Sequence, residues 1–97
     1  MYYVDASVEL RKHIKYLHRI AGEQSRGEIF IQALRAIYDR LHNDPFEFGE
    51  PLYTLQMLRL HVRTASILPL VVTYSVSTDH SFVVIKSIQL LAPRHVR

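Results

Sequence analysis

The sequence predicts an α+β domain with a short N-terminal strand, an antiparallel helical hairpin and then a three-stranded antiparallel meander (order β-α-α-β-β-β). Apolar residues recur at a helical period over two segments of the first half, and each segment follows a helix start signal. In the second half the period changes to two, over three segments joined by short turns. A length of 97 residues suits a single domain, so we expect residues 1–97 to share one core.

The first strand and the first helix lie close to the N-terminus. Tyr2, Tyr3 and Val4 are aromatic or β-branched and suit a strand. Ser7 is a natural N-cap for the helix that follows, and Gly22 is a natural terminator. The apolar stripe of this helix consists of Leu10, Ile14, Leu17 and Ala21.

The second helix has a stronger start signal. Ser25 and Glu28 have the spacing of a capping box, in which each side chain accepts a hydrogen bond from the other residue's free N–H. The helix should end near His42, because Pro45 disfavours helical geometry at Asp44. Its apolar stripe consists of Phe30, Ala33, Leu34, Ile37 and Leu41.

Three strands follow a loop marked by Gly49 and Pro51. Residues 58–63 alternate strictly between apolar and polar, which indicates a strand with one buried face. Residues 70–76 are rich in β-branched and aromatic side chains, and residues 82–88 are apolar on both faces, as in a central strand. Because the links between them are short, we expect antiparallel pairing.

Composition excludes several kinds of site. The chain has no cysteine, so it has no disulfide, no Cys-based metal site and no thiol nucleophile. No His pair has convincing metal-ligand spacing and no glycine-rich phosphate loop occurs, so we expect neither a metal nor a cofactor. The longest apolar run is far below the roughly 20 residues of a membrane helix, and the N-terminus lacks the apolar core of a signal peptide. We therefore expect a soluble cytoplasmic protein.

Charge is unevenly placed along the chain. Residues 1–54 carry seven Lys/Arg and eight Asp/Glu, whereas residues 55–97 carry five Lys/Arg and one acid. A basic second half suits a polyanion or an acidic protein partner, although ordinary solubility accounts for a charge of this size equally well.

The candidate site is the polar face of residues 58–63. Alternation places Arg59, His61 and Arg63 on one face of a strand, about 6.8 Å apart at each step. Two guanidinium groups with an imidazole between them can bind phosphate and transfer a proton, which suits metal-free RNA cleavage. The competing interpretation is the ordinary solvent face of an antiparallel sheet.

Lys86 is a weaker candidate for the same surface. It stands where the pattern of the last strand calls for an apolar residue, and an ion pair or a charge that protects a sheet edge would explain it too. Beyond it, Arg94 and His95 lie in a basic C-terminal tail. We predict catalytic roles for His61, Arg63, Arg59 and Lys86. We predict nucleic-acid contacts for Arg59, Arg63, Lys86, Arg94 and His95.

The order of elements and several short motifs resemble the RelE/ParE superfamily of bacterial toxins from type II toxin–antitoxin pairs. The segments that carry the resemblance are the first strand, the helical hairpin with its end at 41–45, Gly49 and Leu52 in the loop, and the strands at 58–63, 72–76 and 84–88. The resemblance implies a toxin that is wrapped by a cognate antitoxin. RelE-like members cleave mRNA on the ribosome without a metal, and ParE-like members inhibit DNA gyrase. Arg59 and Arg63 match the basic residues of the second strand of that family.

The chain departs from the RelE-like pattern at two places. RelE-like ribonucleases usually carry an arginine shortly before the aromatic residue of the third strand, where residues 70–72 here are uncharged. They also often end with a catalytic tyrosine, for which Arg94 or His95 would have to substitute. Two functions follow: a toxin that is an endoribonuclease or a gyrase inhibitor, or a non-catalytic module of the same fold that binds a protein or nucleic acid.

Overall fold

A computed structural model describes residues 1–93 of the chain, and Arg94 and His95 lie outside the described residues. It confirms the predicted α+β class and element order, with one additional strand. The elements are β1 (Tyr3–Ala6), α1 (Val8–Glu23), α2 (Gly27–Asn43), α3 (Pro45–Phe48), β2 (Glu50–Leu55), a 3₁₀ turn (Gln56–Leu58), β3 (Leu60–Ile67), β4 (Leu70–Ser77) and β5 (Phe82–Leu90).

The five strands form one mixed sheet in the order β1-β5-β4-β3-β2. Strands β3 to β5 form the predicted antiparallel meander, and β2 extends it by one strand. β1 pairs in parallel with β5, so the N-terminal strand closes one edge of the sheet and β2 forms the other. The two long helices pack on one face of this sheet, and their buried side chains join those of β4 and β5 in one core.

The predicted start of α1 is confirmed. The Ser7 hydroxyl accepts a hydrogen bond from the backbone N–H of Leu10 at 3.0 Å, and Glu9 lies in the first turn, where the helix dipole favours an acid. Leu10, Leu17 and Ala21 are buried, and Ile14 packs against them. The apolar stripe therefore faces the sheet as its spacing requires.

The predicted capping box of α2 is wrong. Ser25 has a left-handed backbone with φ 58°, and α2 begins at Gly27 after Arg26 without a side-chain cap. Arg26 N–H instead donates to the carbonyl of Ala21 at 2.7 Å, which closes the turn between α1 and α2. The apolar stripe of the helix is still placed as predicted, with Phe30, Ala33, Ile37 and Leu41 buried.

The segment predicted as a loop after α2 contains α3 and the edge strand β2. Pro45 occupies the first turn of α3, where the missing N–H of proline costs nothing. Gly49 then lies against β3, and a Cβ there would come within 2.5 Å of the Thr64 carbonyl oxygen. The close approach holds α3 over one end of the sheet and directs the chain into β2.

No helix formed by residues 1–93 combines the length and the apolar character needed to cross a lipid bilayer.

Candidate functional site

The face of β3 that carries His61 and Arg63 is half-buried, contrary to the prediction that it is open to solvent. His61 pairs across the ladder with Val76, and Arg63 pairs with Tyr74. Directly opposed residues of antiparallel strands share a face, and both partners are fully buried in the core beneath the helices. The alternation in β3 was thus predicted correctly, and Val62 on the other face is buried as predicted, but the face of His61 and Arg63 is half-buried rather than open.

Arg59 does not belong to the strand. It follows the 3₁₀ turn with a left-handed backbone (φ 51°, ψ 44°), so the alternation of β3 begins only at Leu60. The Arg59 guanidinium lies 3.5 Å from a carboxylate oxygen of Asp79, and its carbonyl accepts a hydrogen bond from the Thr78 N–H. Arg59 therefore ties the connection between β2 and β3 to the turn between β4 and β5.

Arg63 points into a polar cluster beneath α3. Its guanidinium donates to the backbone carbonyl of Gly49, and its Nε is buried without a hydrogen-bond partner in the described structure. Next to it the Tyr74 hydroxyl donates to the Pro45 carbonyl at 2.6 Å. We call Pro45, Gly49, Arg63 and Tyr74 the α3 cluster. A guanidinium used in this way secures α3 to the sheet, and the predicted phosphate contact of Arg63 stays a prediction.

The electrostatics of the α3 cluster keep its phenol neutral. Burial raises the pKa of the Tyr74 hydroxyl above its ordinary value, and the neighbouring Arg63 guanidinium opposes that rise only in part. Phe48 stacks on the Tyr74 ring at 6.1 Å, and the Arg40 guanidinium lies 4.8 Å from the centre of the Phe48 ring. Arg40 is in turn held by Asp44 at 3.0 Å, so aromatic stacking and charge close the cluster on its outer side.

His61 is half-buried at the rim of the same region. Its ring meets the edge of Phe46, with the ring centres 5.4 Å apart, and its Nδ1 lies 3.4 Å from the Thr54 hydroxyl. His61 and Arg63 are both partly exposed and form no ion pair among residues 1–93, but the Arg63 guanidinium is engaged by the Gly49 carbonyl. The predicted proton-transfer role of His61 stays a prediction.

Lys86 is not brought together with the β3 residues. It is the extra residue of a bulge in β5, between Ile85, which pairs with Tyr74, and Ser87, which pairs with Thr73. Because β4 separates β5 from β3, about 10 Å of sheet lies between Lys86 and Arg63. The bulge also explains why Lys86 broke the apolar pattern: it allows Ile85 and Ile88 to reach the same core.

The structure reveals a surface that the sequence pattern did not identify. All six residues of the edge strand β2 are exposed, and so are those of the 3₁₀ turn. Met57 is 99% exposed, and no charged residue occurs between positions 51 and 58. We call the exposed large apolar side chains here the apolar edge: Leu52, Tyr53, Leu55, Met57 and Leu58. The signal in the sequence is that uncharged run, which the turn residues and the alternation divide between a loop and the start of a strand.

No protein-family model matches the chain, and no curated protein and no solved structure is significantly similar to it.

Proposed function

We propose that this chain is a cytoplasmic toxin of a type II toxin–antitoxin pair of the RelE/ParE kind, and that it acts by binding its target rather than by cleaving RNA. The observation that supports the toxin assignment is the arrangement of the fold: a short first strand, a helical hairpin, and a meander whose last strand returns beside the first. The resemblance implies the order β-α-α-β-β-β, to which this chain adds α3 and the edge strand β2.

The placement of the predicted catalytic residues favours binding over cleavage. Metal-free RNA cleavage needs a base, an acid and a cation around one phosphate. Arg63 is engaged by Gly49, Arg59 is paired with Asp79, and Lys86 lies two strands away from both. The described residues therefore offer His61 no free cation beside it, and a ParE-like action on DNA gyrase or another macromolecule accounts for the geometry better.

The apolar edge supports a protein partner. Contiguous exposed apolar side chains are typical of surfaces that another protein covers, and an edge strand has unpaired backbone groups that an extended peptide can bind. Pro51 and the irregular pairing between Pro51 and Tyr53 restrict such pairing to the later part of β2. We propose that the cognate antitoxin binds here, with its apolar side chains against Met57 and Leu58.

Controlled expression in a bacterial host tests the toxin proposal. We expect growth to stop on induction of the wild-type chain and to resume when the short reading frame next to its gene, the proposed antitoxin, is co-expressed. Normal growth at confirmed expression of folded protein would contradict the proposal and would favour the non-catalytic module without toxicity.

A RelE-like endoribonuclease remains the second candidate, because His61 keeps partial solvent access. Incubation in a translating extract separates the two. If the wild type cleaves mRNA and His61→Ala does not, the chain is a ribonuclease. If mRNA stays intact with the wild type, the binding mode is favoured.

A further inference from the structure

The outward face of α1 carries four cations. At 100° per residue, Arg11, Lys12, Lys15 and Arg19 share an arc of roughly 100°, opposite the buried stripe that packs on the sheet. All four are exposed. We call these four residues the basic face.

None of the four is neutralised within residues 1–93. The two ion pairs in that part of the chain are Arg40 with Asp44 and Arg59 with Asp79. The Arg19 guanidinium lies 5.3 Å from the centre of the Tyr16 ring, and the charge of Arg11 lies near enough to the Tyr38 hydroxyl to lower its pKa slightly against the effect of burial. Four positive charges thus remain available to an external anion.

The row of Arg11, Lys15 and Arg19 contains like charges at unfavourable spacing. Arg11 and Lys15, and Lys15 and Arg19, are four residues apart, where like charges repel one another. The last turn of α1, where the helix dipole would favour a cation, contains no basic residue and ends on Glu23. Glu9, three residues before Lys12, and Glu23, four residues after Arg19, form no ion pair with them, so a bound anion would relieve the repulsion along the row.

The geometry of the basic face suits a phosphate backbone. Arg11, Lys15 and Arg19 form a row about 12 Å long, and one strand of a duplex carries a phosphate every 3.4 Å or so along its axis, so the row spans three to four phosphates. Arg19 is held over Tyr16 and can present a planar set of donors to a phosphate group.

A protein partner suits this face less well. Protein interfaces have an apolar core, whereas protein–nucleic-acid interfaces are polar and strongly positive. On the basic face the exposed apolar side chain within the arc is Val8 alone, and Tyr16 lies at its border between His13 and Arg19. We infer that the basic face of α1 binds the phosphodiester backbone of a nucleic acid, without reading its sequence.

This inference is independent of the toxin proposal, because it concerns another surface and is tested with purified protein. The probes are a labelled 20-base-pair RNA duplex and a DNA duplex of the same sequence, and binding of the full chain is followed by fluorescence anisotropy from 50 to 200 mM salt. With about four phosphates neutralised, the logarithm of the association constant should fall with the logarithm of salt with a slope near −3.6, which is roughly a hundredfold loss over that range. The two duplexes distinguish an RNA from a DNA ligand.

Matched variants assign the binding to the face. Lys15→Gln with Arg19→Gln should weaken binding at least tenfold at 100 mM salt and reduce the slope by about two. The charge-preserving pair Lys15→Arg with Arg19→Lys should bind like the wild type. Arg35→Gln removes one exposed charge of α2 and should weaken binding much less than Lys15→Gln alone.

Four outcomes would overturn the inference. They are no binding to either duplex at 50 mM salt, a slope weaker than about −1, equal losses for Arg35→Gln and Lys15→Gln, and tighter binding to poly-glutamate than to both duplexes. The last would assign the face to an acidic protein.

Discussion

The guanidinium of Arg63 donates a hydrogen bond to the backbone carbonyl of Gly49 and so ties the middle of β3 to the residue that joins α3 to β2. The contact is made in the half-buried space beneath α3, where Tyr74 also donates to the Pro45 carbonyl. Arg63, which the sequence suggests for phosphate binding, therefore has a contact that supports the fold.

Arg63 and Arg59 should differ sharply in their effect on stability. Arg63→Ala leaves the Gly49 carbonyl without this donor and empties the α3 cluster, so we expect the free energy of unfolding to fall by about 1–3 kcal/mol. Arg59→Ala removes an exposed ion pair and should cost less than about 1 kcal/mol. Urea unfolding of the two variants measures this. Equal losses would mean that both arginines are presented to solvent.

Gly49 should not tolerate a side chain, because a Cβ there would lie 2.5 Å from the Thr64 carbonyl oxygen and 2.8 Å from the Tyr74 hydroxyl. We expect Gly49→Ala to destabilise the fold by about 1–3 kcal/mol through overpacking. Gly22→Ala is the matched control, because a Cβ added there would have nothing within 4 Å. Alanine also favours the helix, so this variant should raise the free energy of unfolding by about 0.5–1 kcal/mol. Thermal unfolding of both variants measures these changes. An unchanged stability of Gly49→Ala would contradict the close approach.

Tyr74 should impose an alkaline limit on stability. Burial raises the pKa of its hydroxyl above the ordinary value of 10.0, so above pH 10 the unfolded chain loses this proton before the folded chain does. The free energy of unfolding is therefore unaffected by this group below pH 10 and falls as the pH rises further. Tyr38, whose pKa is also raised by burial, contributes to the same decline.

Tyr74→Phe should separate the two contributions of that hydroxyl. At pH 7 the variant should lose about 1–3 kcal/mol, because the buried Pro45 carbonyl loses its donor. Above pH 10 its stability should decline less steeply than that of the wild type. Denaturant titrations at pH 7 and over the alkaline range measure both effects, and identical alkaline slopes would argue against a buried Tyr74 hydroxyl.

The apolar edge should matter for the partner and not for the fold. Met57→Asp with Leu58→Asp changes exposed side chains, so each substitution should change the free energy of unfolding by no more than about 0.5 kcal/mol. Affinity for the co-expressed antitoxin should fall at least tenfold, because apolar anchors of an interface would become charged. Leu68→Asp, at another exposed apolar position, is the control. Unchanged affinity in the double variant, measured by calorimetry, would place the antitoxin elsewhere.

The two long helices and the meander of β3 to β5 could be predicted from the sequence because each depends on local patterns, whereas the parallel pairing of β1 with β5 joins distant segments and was not predicted. Ser7 caps α1 through contacts within one turn, and the apolar stripes select the helix faces that meet the sheet. β2 was missed because Gly49 and Pro51 are typical of loops. On an edge strand, however, a proline without an N–H is tolerated.

The candidate site could be predicted only in part, because alternation indicates two faces but not which of them is covered. The cover over Arg63 comes from α3, whose position depends on contacts of Gly49 and Tyr74 that are distant in sequence. A left-handed residue at the end of the 3₁₀ turn removed Arg59 from the row, and a bulge displaced Lys86. Charge counted along the chain also failed to locate the basic face, since α1 belongs to the half whose net charge is slightly negative.

The most direct test of the proposed function is to map the 5′ ends of cellular mRNA after induction of the wild-type chain, with His61→Ala alongside. A toxin that acts by binding predicts arrested growth with the same mRNA ends as uninduced cells, and arrest by His61→Ala as well. New internal ends that appear with the wild type and vanish in the variant would contradict this account and identify an endoribonuclease.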